Sequence, residues 1–119
     1  RHHLQLGRSL RKLSEDGVLI VGSGHLTHNL RDWDRSGRAA PMQYAVDFQA
    51  WVFDRISRGE AEELVEYRSK SPHGVRAHPT DEHFLPLFVA LGAAGAGTPE
   101  RVYDAIDSGV LAMDAYVFP

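Results

Sequence analysis

Leu4, Leu6, Leu10 and Leu13 recur at near-helical spacing, and Gly17 stands where a helix would stop, so residues 2 to 16 are expected to form an amphipathic helix. The next residues, Val18 to Gly22, are apolar throughout. Such a run suits a strand covered on both faces, as in a sheet with helices packed on each side. Tyr44, Phe48, Trp51, Val52, Phe53 and Ile56 then fall at helical intervals to about Ser57 and predict the longest helix, their aromatic rings lying on one core stripe. After the break at Arg58-Gly59, residues 61 to 67 read as a short helix with Glu60, Glu62 and Glu63 favourably placed in its first turn, and Ser71-Pro72-His73-Gly74 reads as a loop.

Thr80 is a suitable N-cap, with Asp81 and Glu82 following it, for a helix reaching about Ala94. Pro86 lies too deep in that stretch for the usual first-position proline, so the helix either kinks there or begins its regular part later. Residues 95 to 99 are a glycine-rich linker. Residues 102 to 106 and 110 to 118 flank Asp107-Ser108-Gly109 and predict a closing β-hairpin. Helix followed at once by strand is the rhythm of an α/β fold: a partial α/β domain with a central sheet flanked by helices and a C-terminal hairpin.

Composition narrows the function classes. A chain of 119 residues makes one domain with a modest core. The 13 basic and 16 acidic residues are scattered and leave a net charge of −3, which speaks against nucleic acid as a partner. Without cysteine there are no disulfides, no thiolate metal sites and no cysteine nucleophile, and a cytoplasmic setting is expected. The longest weakly polar run, residues 84 to 97, is too short and too interrupted for a membrane span, and no signal peptide is expected at the N-terminus.

The chemistry sits in the histidines. His25 and His28 lie in Gly22-Ser23-Gly24-His25-Leu26-Thr27-His28-Asn29, directly after the apolar run; its glycines make a tight turn and too sparse a pattern for a phosphate loop. His78 and His83 bracket Pro79-Thr80-Asp81-Glu82. Neutral imidazoles on rigid supports are the donors a mononuclear iron or zinc site requires. Five residues turn a helix by roughly 140° beyond a full turn, so His78 and His83 meet only if His78 sits in the loop before the helix. In the first turn of that helix His83 is expected to be able to ligate a metal. By spacing alone these histidines form a surface arrangement more readily than a metal site; His2, His3 and His73 have no partner pattern and read as solvated.

Four blocks in order carry a more specific signal: residues 3 to 10 (His3-Leu4-Gln5-Leu6-Gly7-Arg8-Ser9-Leu10), Gly17 to Gly24, His28-Asn29-Leu30, and His78 to Gly92. With them the chain resembles the C-terminal portion of the class III extradiol ring-cleavage dioxygenases, in the group similar to DOPA 4,5-dioxygenase. The resemblance implies that residues 1 to 119 are the C-terminal portion of the catalytic domain, with the N-terminal portion and its two further metal-binding histidines absent. It implies that His83 is a ligand to Fe(2+) or Zn(2+). His28 is implied to be the active-site histidine at the strand end, as a further ligand or as the acid–base group. His25 and His78 are expected at the substrate pocket. A catechol and dioxygen are the implied substrates, and a chain deprived of neighbouring strands is expected to self-associate. The alternative is a non-catalytic fragment or subunit that needs a partner for the missing ligands. A zinc hydrolase is the weaker third, because no helical histidine–glutamate pattern is present.

Overall fold

A computed structural model describes all 119 residues. Helix α1 (His2–Glu15) lies against α6 (Leu85–Ala93) in a backbone-to-backbone crossing. A Cβ on Gly7 would strike the Val89 carbonyl and one on Gly92 would strike the Leu4 carbonyl, so two glycines make this approach possible. Helix α2 (Gln43–Ser57) buries Tyr44, Ala45, Phe48, Val52 and Ile56 on one stripe, as its spacing requires. Three short helices, α3 (Ala61–Val65), α4 (Tyr67–Lys70) and α5 (Gly74–Ala77), bring Leu64, Tyr67 and Ala77 onto that stripe.

The single helix expected over 61 to 67 is broken at Glu66, and the turn at 74 to 77 was not anticipated, since four residues carry no readable period. Helix α6 starts at Leu85, later than Thr80. Pro86 thereby occupies the first turn, where its missing N–H costs no helical hydrogen bond. Residues 81 to 85 form a turn closed by Phe84 and Leu85 N–H groups on the Asp81 carbonyl.

The closing hairpin is present as two nested antiparallel pairs. Strand β1 (Glu100–Tyr103) pairs with β4 (Ala115–Val117), and β2 (Ile106–Asp107) with β3 (Leu111–Ala112). Ser108 and Gly109, at φ 49° and 77°, make the tight turn, with the Val110 N–H on the Asp107 carbonyl. Mixed helices with small antiparallel sheets agree with the α/β class.

Residues 18 to 22 differ from expectation. They are not part of a strand, and no central sheet forms around them. Leu19 through Gly24 make no backbone hydrogen bond with the rest of the chain, and Leu19 and Val21 are 84% and 75% exposed. The cause is that a strand needs a neighbour, and the only strands here pair with one another. The apolar pattern is that of a two-face-buried strand, and no neighbouring strand covers it here. No helix is long and apolar enough to cross a membrane.

Candidate metal centre

Residues 25 to 29 form a loop tied down at three places. The His25 N–H donates to the His83 carbonyl at 2.8 Å, the Leu26 N–H to the Ala112 carbonyl at 3.1 Å, and the His28 N–H to the Ala77 carbonyl at 2.8 Å. Thr27, fully buried, donates its hydroxyl to the Val110 carbonyl at 2.5 Å and accepts the Ala112 N–H at 2.7 Å. Asn29 donates to the Arg76 carbonyl at 2.9 Å. A Cβ on Gly24 would lie inside contact distance of the His83 carbonyl oxygen, so glycine is what lets the loop reach the start of α6.

This anchoring brings three imidazoles together. The rings of His28 and His83 stack with centroids 3.6 Å apart and planes 13° from parallel. His25 stands 5.4 Å from His28 and 6.2 Å from His83. His25 and His83 also border a cleft of about 440 Å³ between α6, residues 19 to 26 and β4, with Leu87 and Tyr116 in its walls. Glu82 Oε1 is 3.5 Å from His83 Nδ1 and also accepts the Thr80 hydroxyl at 2.9 Å. Burial, followed by the neighbouring His83 and His25, lowers the pKa of His28 below its ordinary 6.5. Its neutral form is therefore favoured, with a lone pair free for a metal or a proton.

His78 lies outside this group. Its ring has no exposed surface and stacks on Phe84 at 4.8 Å. Its Nε2 is 2.7 Å from the Leu26 carbonyl. A carbonyl only accepts, so Nε2 carries the proton and Nδ1 is left a buried lone pair without a partner. Burial pulls its pKa down to about 4 from the ordinary 6.5. As pH falls below 6.5 the unfolded chain takes a proton that the folded chain refuses until about 4, so stability is lost across that window. The loss should be of order 3 kcal/mol. Urea midpoints at pH 7 and pH 4.5 measure it. The drop should shrink in His78→Gln, which has no titrating ring, and equal drops in both proteins would refute the assignment.

The donor chemistry suits a metal, for His25 Nδ1 and His83 Nδ1 are buried without hydrogen-bond partners. The arrangement is incomplete. No three histidine or carboxylate groups are placed to hold one ion, and lone pairs in stacked rings run side by side instead of converging.

The profile of the catalytic LigB subunit of aromatic ring-opening dioxygenase matches residues 1 to 118. The chain belongs to this family. Within it, the chain is 39% identical over 119 residues to a 4,5-DOPA dioxygenase extradiol of Beta vulgaris, covering 98% of this chain and 44% of that protein. It is 34% identical over 115 residues to the enzyme of the same name from Escherichia coli K12, covering 93% and 42%. A crystal structure of an uncharacterized protein of Escherichia coli K12 superposes with a TM-score of 0.87 at 31% identity, over 96% of this chain and 48% of that one. The chain thus spans less than half the length of the LigB relatives it matches. Thr27, the residue that locks the histidine loop to β3, escaped the sequence reading, because a threonine between two histidines carries no pattern of its own.

Proposed function

We propose that these residues supply part of a metal-dependent extradiol dioxygenase site that opens catechol-type rings, DOPA-like substrates among them, with dioxygen. The contact between His28 and His83, beside His25 and in a LigB-family chain, carries this reading. His83 is the ligand to Fe(2+) or Zn(2+). A metal bound there would supply Lewis acidity and, as iron(II), the redox chemistry that dioxygen requires. Stacking favours a division of labour, because ring planes that run side by side serve two centres more readily than one. His28, kept neutral, takes a proton from the catechol hydroxyl at its free nitrogen and later returns one; it becomes a second ligand only after its ring rotates. His25, at the cleft, meets the substrate. His78 reaches the substrate pocket only through the loop it holds. The remaining ligands come from outside these 119 residues, on the same gene product or on a partner chain. The setting is cytoplasmic, a reducing compartment in which iron(II) persists.

Oxygen uptake with DOPA tests this. The gene product carrying these residues, stripped with a chelator, should regain uptake on adding iron(II), whereas the 119 residues alone should show none and bind iron(II) or zinc weakly in calorimetry. Absence of uptake from the gene product with iron(II) removes the enzyme reading. It leaves the second one, a non-catalytic subunit, which the unpaired segment 19 to 24 favours.

The same segment gives the expected partner for the isolated chain, another copy of itself. An extended apolar edge with free N–H and C=O groups is a pairing surface. Sedimentation of the 119 residues should show species larger than a monomer, and Val21→Lys, at a 75% exposed position, should shift them to monomer. A monomeric wild-type chain with a sharp melt contradicts this.

A further inference from the structure

His78 meets both arms of the histidine cluster at once. On one side its Nε2–H donates to the carbonyl of Leu26, the residue between His25 and Thr27, at 2.7 Å. The neighbouring Ala77 carbonyl takes the His28 N–H at 2.8 Å, so the Ala77-His78 pair grips residues 26 to 28 at two points. On the other side the His78 ring stacks on Phe84, next in sequence to His83, at 4.8 Å with planes 21° apart. Phe48 and Tyr67 close the remaining edges of the ring at 5.8 and 6.0 Å, and the Arg68 guanidinium donates to the His78 carbonyl at 2.7 Å. The ring therefore has no freedom to tilt away from either arm.

We infer that His78 is a positioning residue that sets the spacing between the His25–His28 loop and His83. The functional meaning of that spacing rests on the dioxygenase reading above; the spacing itself does not. Histidine suits the position because its edge donates to the loop, the contact that holds the spacing, while its face packs against Phe84. Phenylalanine stacks but cannot donate, and would strand the Leu26 carbonyl in a fully enclosed site. Glutamine places a donor where Nε2 stands but offers no ring. The two substitutions therefore separate the two contacts.

The full chain answers without metal or substrate. In the wild type, imidazole nitrogen NMR should show His78 as the Nε2–H tautomer with a ring proton that exchanges slowly; a Nδ1–H tautomer, or rapid exchange, overturns the inference. Nuclear Overhauser contacts between the His28 and His83 rings should vanish in His78→Phe and persist in His78→Gln. If His78→Phe keeps them, or if folded His78→Gln loses them, the inference fails. Should His78→Phe not fold, the wild-type tautomer and His78→Gln still decide. In gene product that takes up oxygen, His78→Phe should lower kcat about tenfold or more at little-changed KM for DOPA, the effect of losing a residue that orients site groups, and His78→Gln should recover most of it. If no preparation takes up oxygen while the ring contacts still depend on position 78, the dioxygenase reading fails and the positioning role stands.

Discussion

Gly24→Ala is expected to lower the stability of the chain by about 3 kcal/mol, because the new methyl group must displace backbone and not a side chain. The atom it meets is the His83 carbonyl oxygen, which also accepts the His25 N–H at 2.8 Å. Relieving the clash therefore breaks the bond that joins the histidine loop to the entrance of α6. The carbon of that carbonyl and Pro86 Cγ are within 3.3 Å as well, so sliding sideways offers no escape. On a chain of this size the melting temperature should fall by roughly 10 °C. Gly17→Ala is the control: nothing lies within 4 Å of its Cβ position, and only its positive φ of 88° is strained. It should cost about 1 kcal/mol. A Gly24→Ala protein that melts with Gly17→Ala would show that the loop does not seat against α6 in this way.

The second large effect concerns the stacked imidazoles, and it distinguishes their roles. In the gene product that takes up oxygen, His83→Ala should abolish metal retention and, with it, uptake. His28→Ala should retain metal yet lose roughly 10² to 10⁴-fold in turnover, the usual contribution of a positioned acid–base group. Both rings are partly exposed, so neither change should move the melt much. Metal content by elemental analysis beside oxygen-electrode rates reads both quantities from one preparation. The opposite split would exchange the two assignments, and unchanged metal content with unchanged rates in both variants would remove the site.

Much of the scaffold was legible because its signals are local. The stripe from Tyr44 to Ile56 fixes the buried face of α2, and Pro86 limits where α6 begins. The hairpin announced itself through Ser108-Gly109. The segment 18 to 22 misled because an apolar run reports what a strand buries and not whether neighbours are present to bury it. At the site, residue spacing alone said little. His28 and His83 are far apart in the chain, and only the resemblance tied them to one centre; the stacking of their rings follows from three backbone bonds that no sequence period encodes. His78 was the least readable of the four. It was expected in the loop before the helix and at the substrate pocket, whereas Phe48, Tyr67 and Phe84 enclose its ring in the core.

Thr27 accepts from Ala112 and donates to Val110, and this makes the C-terminal hairpin a lever on the imidazoles. Tags, insertions or truncations placed after Gly109 for convenience would pull on that fulcrum. Their effect would surface at His25 and His28, far from the edit in sequence, and would be mistaken for damage to the chemistry when only the mounting had shifted.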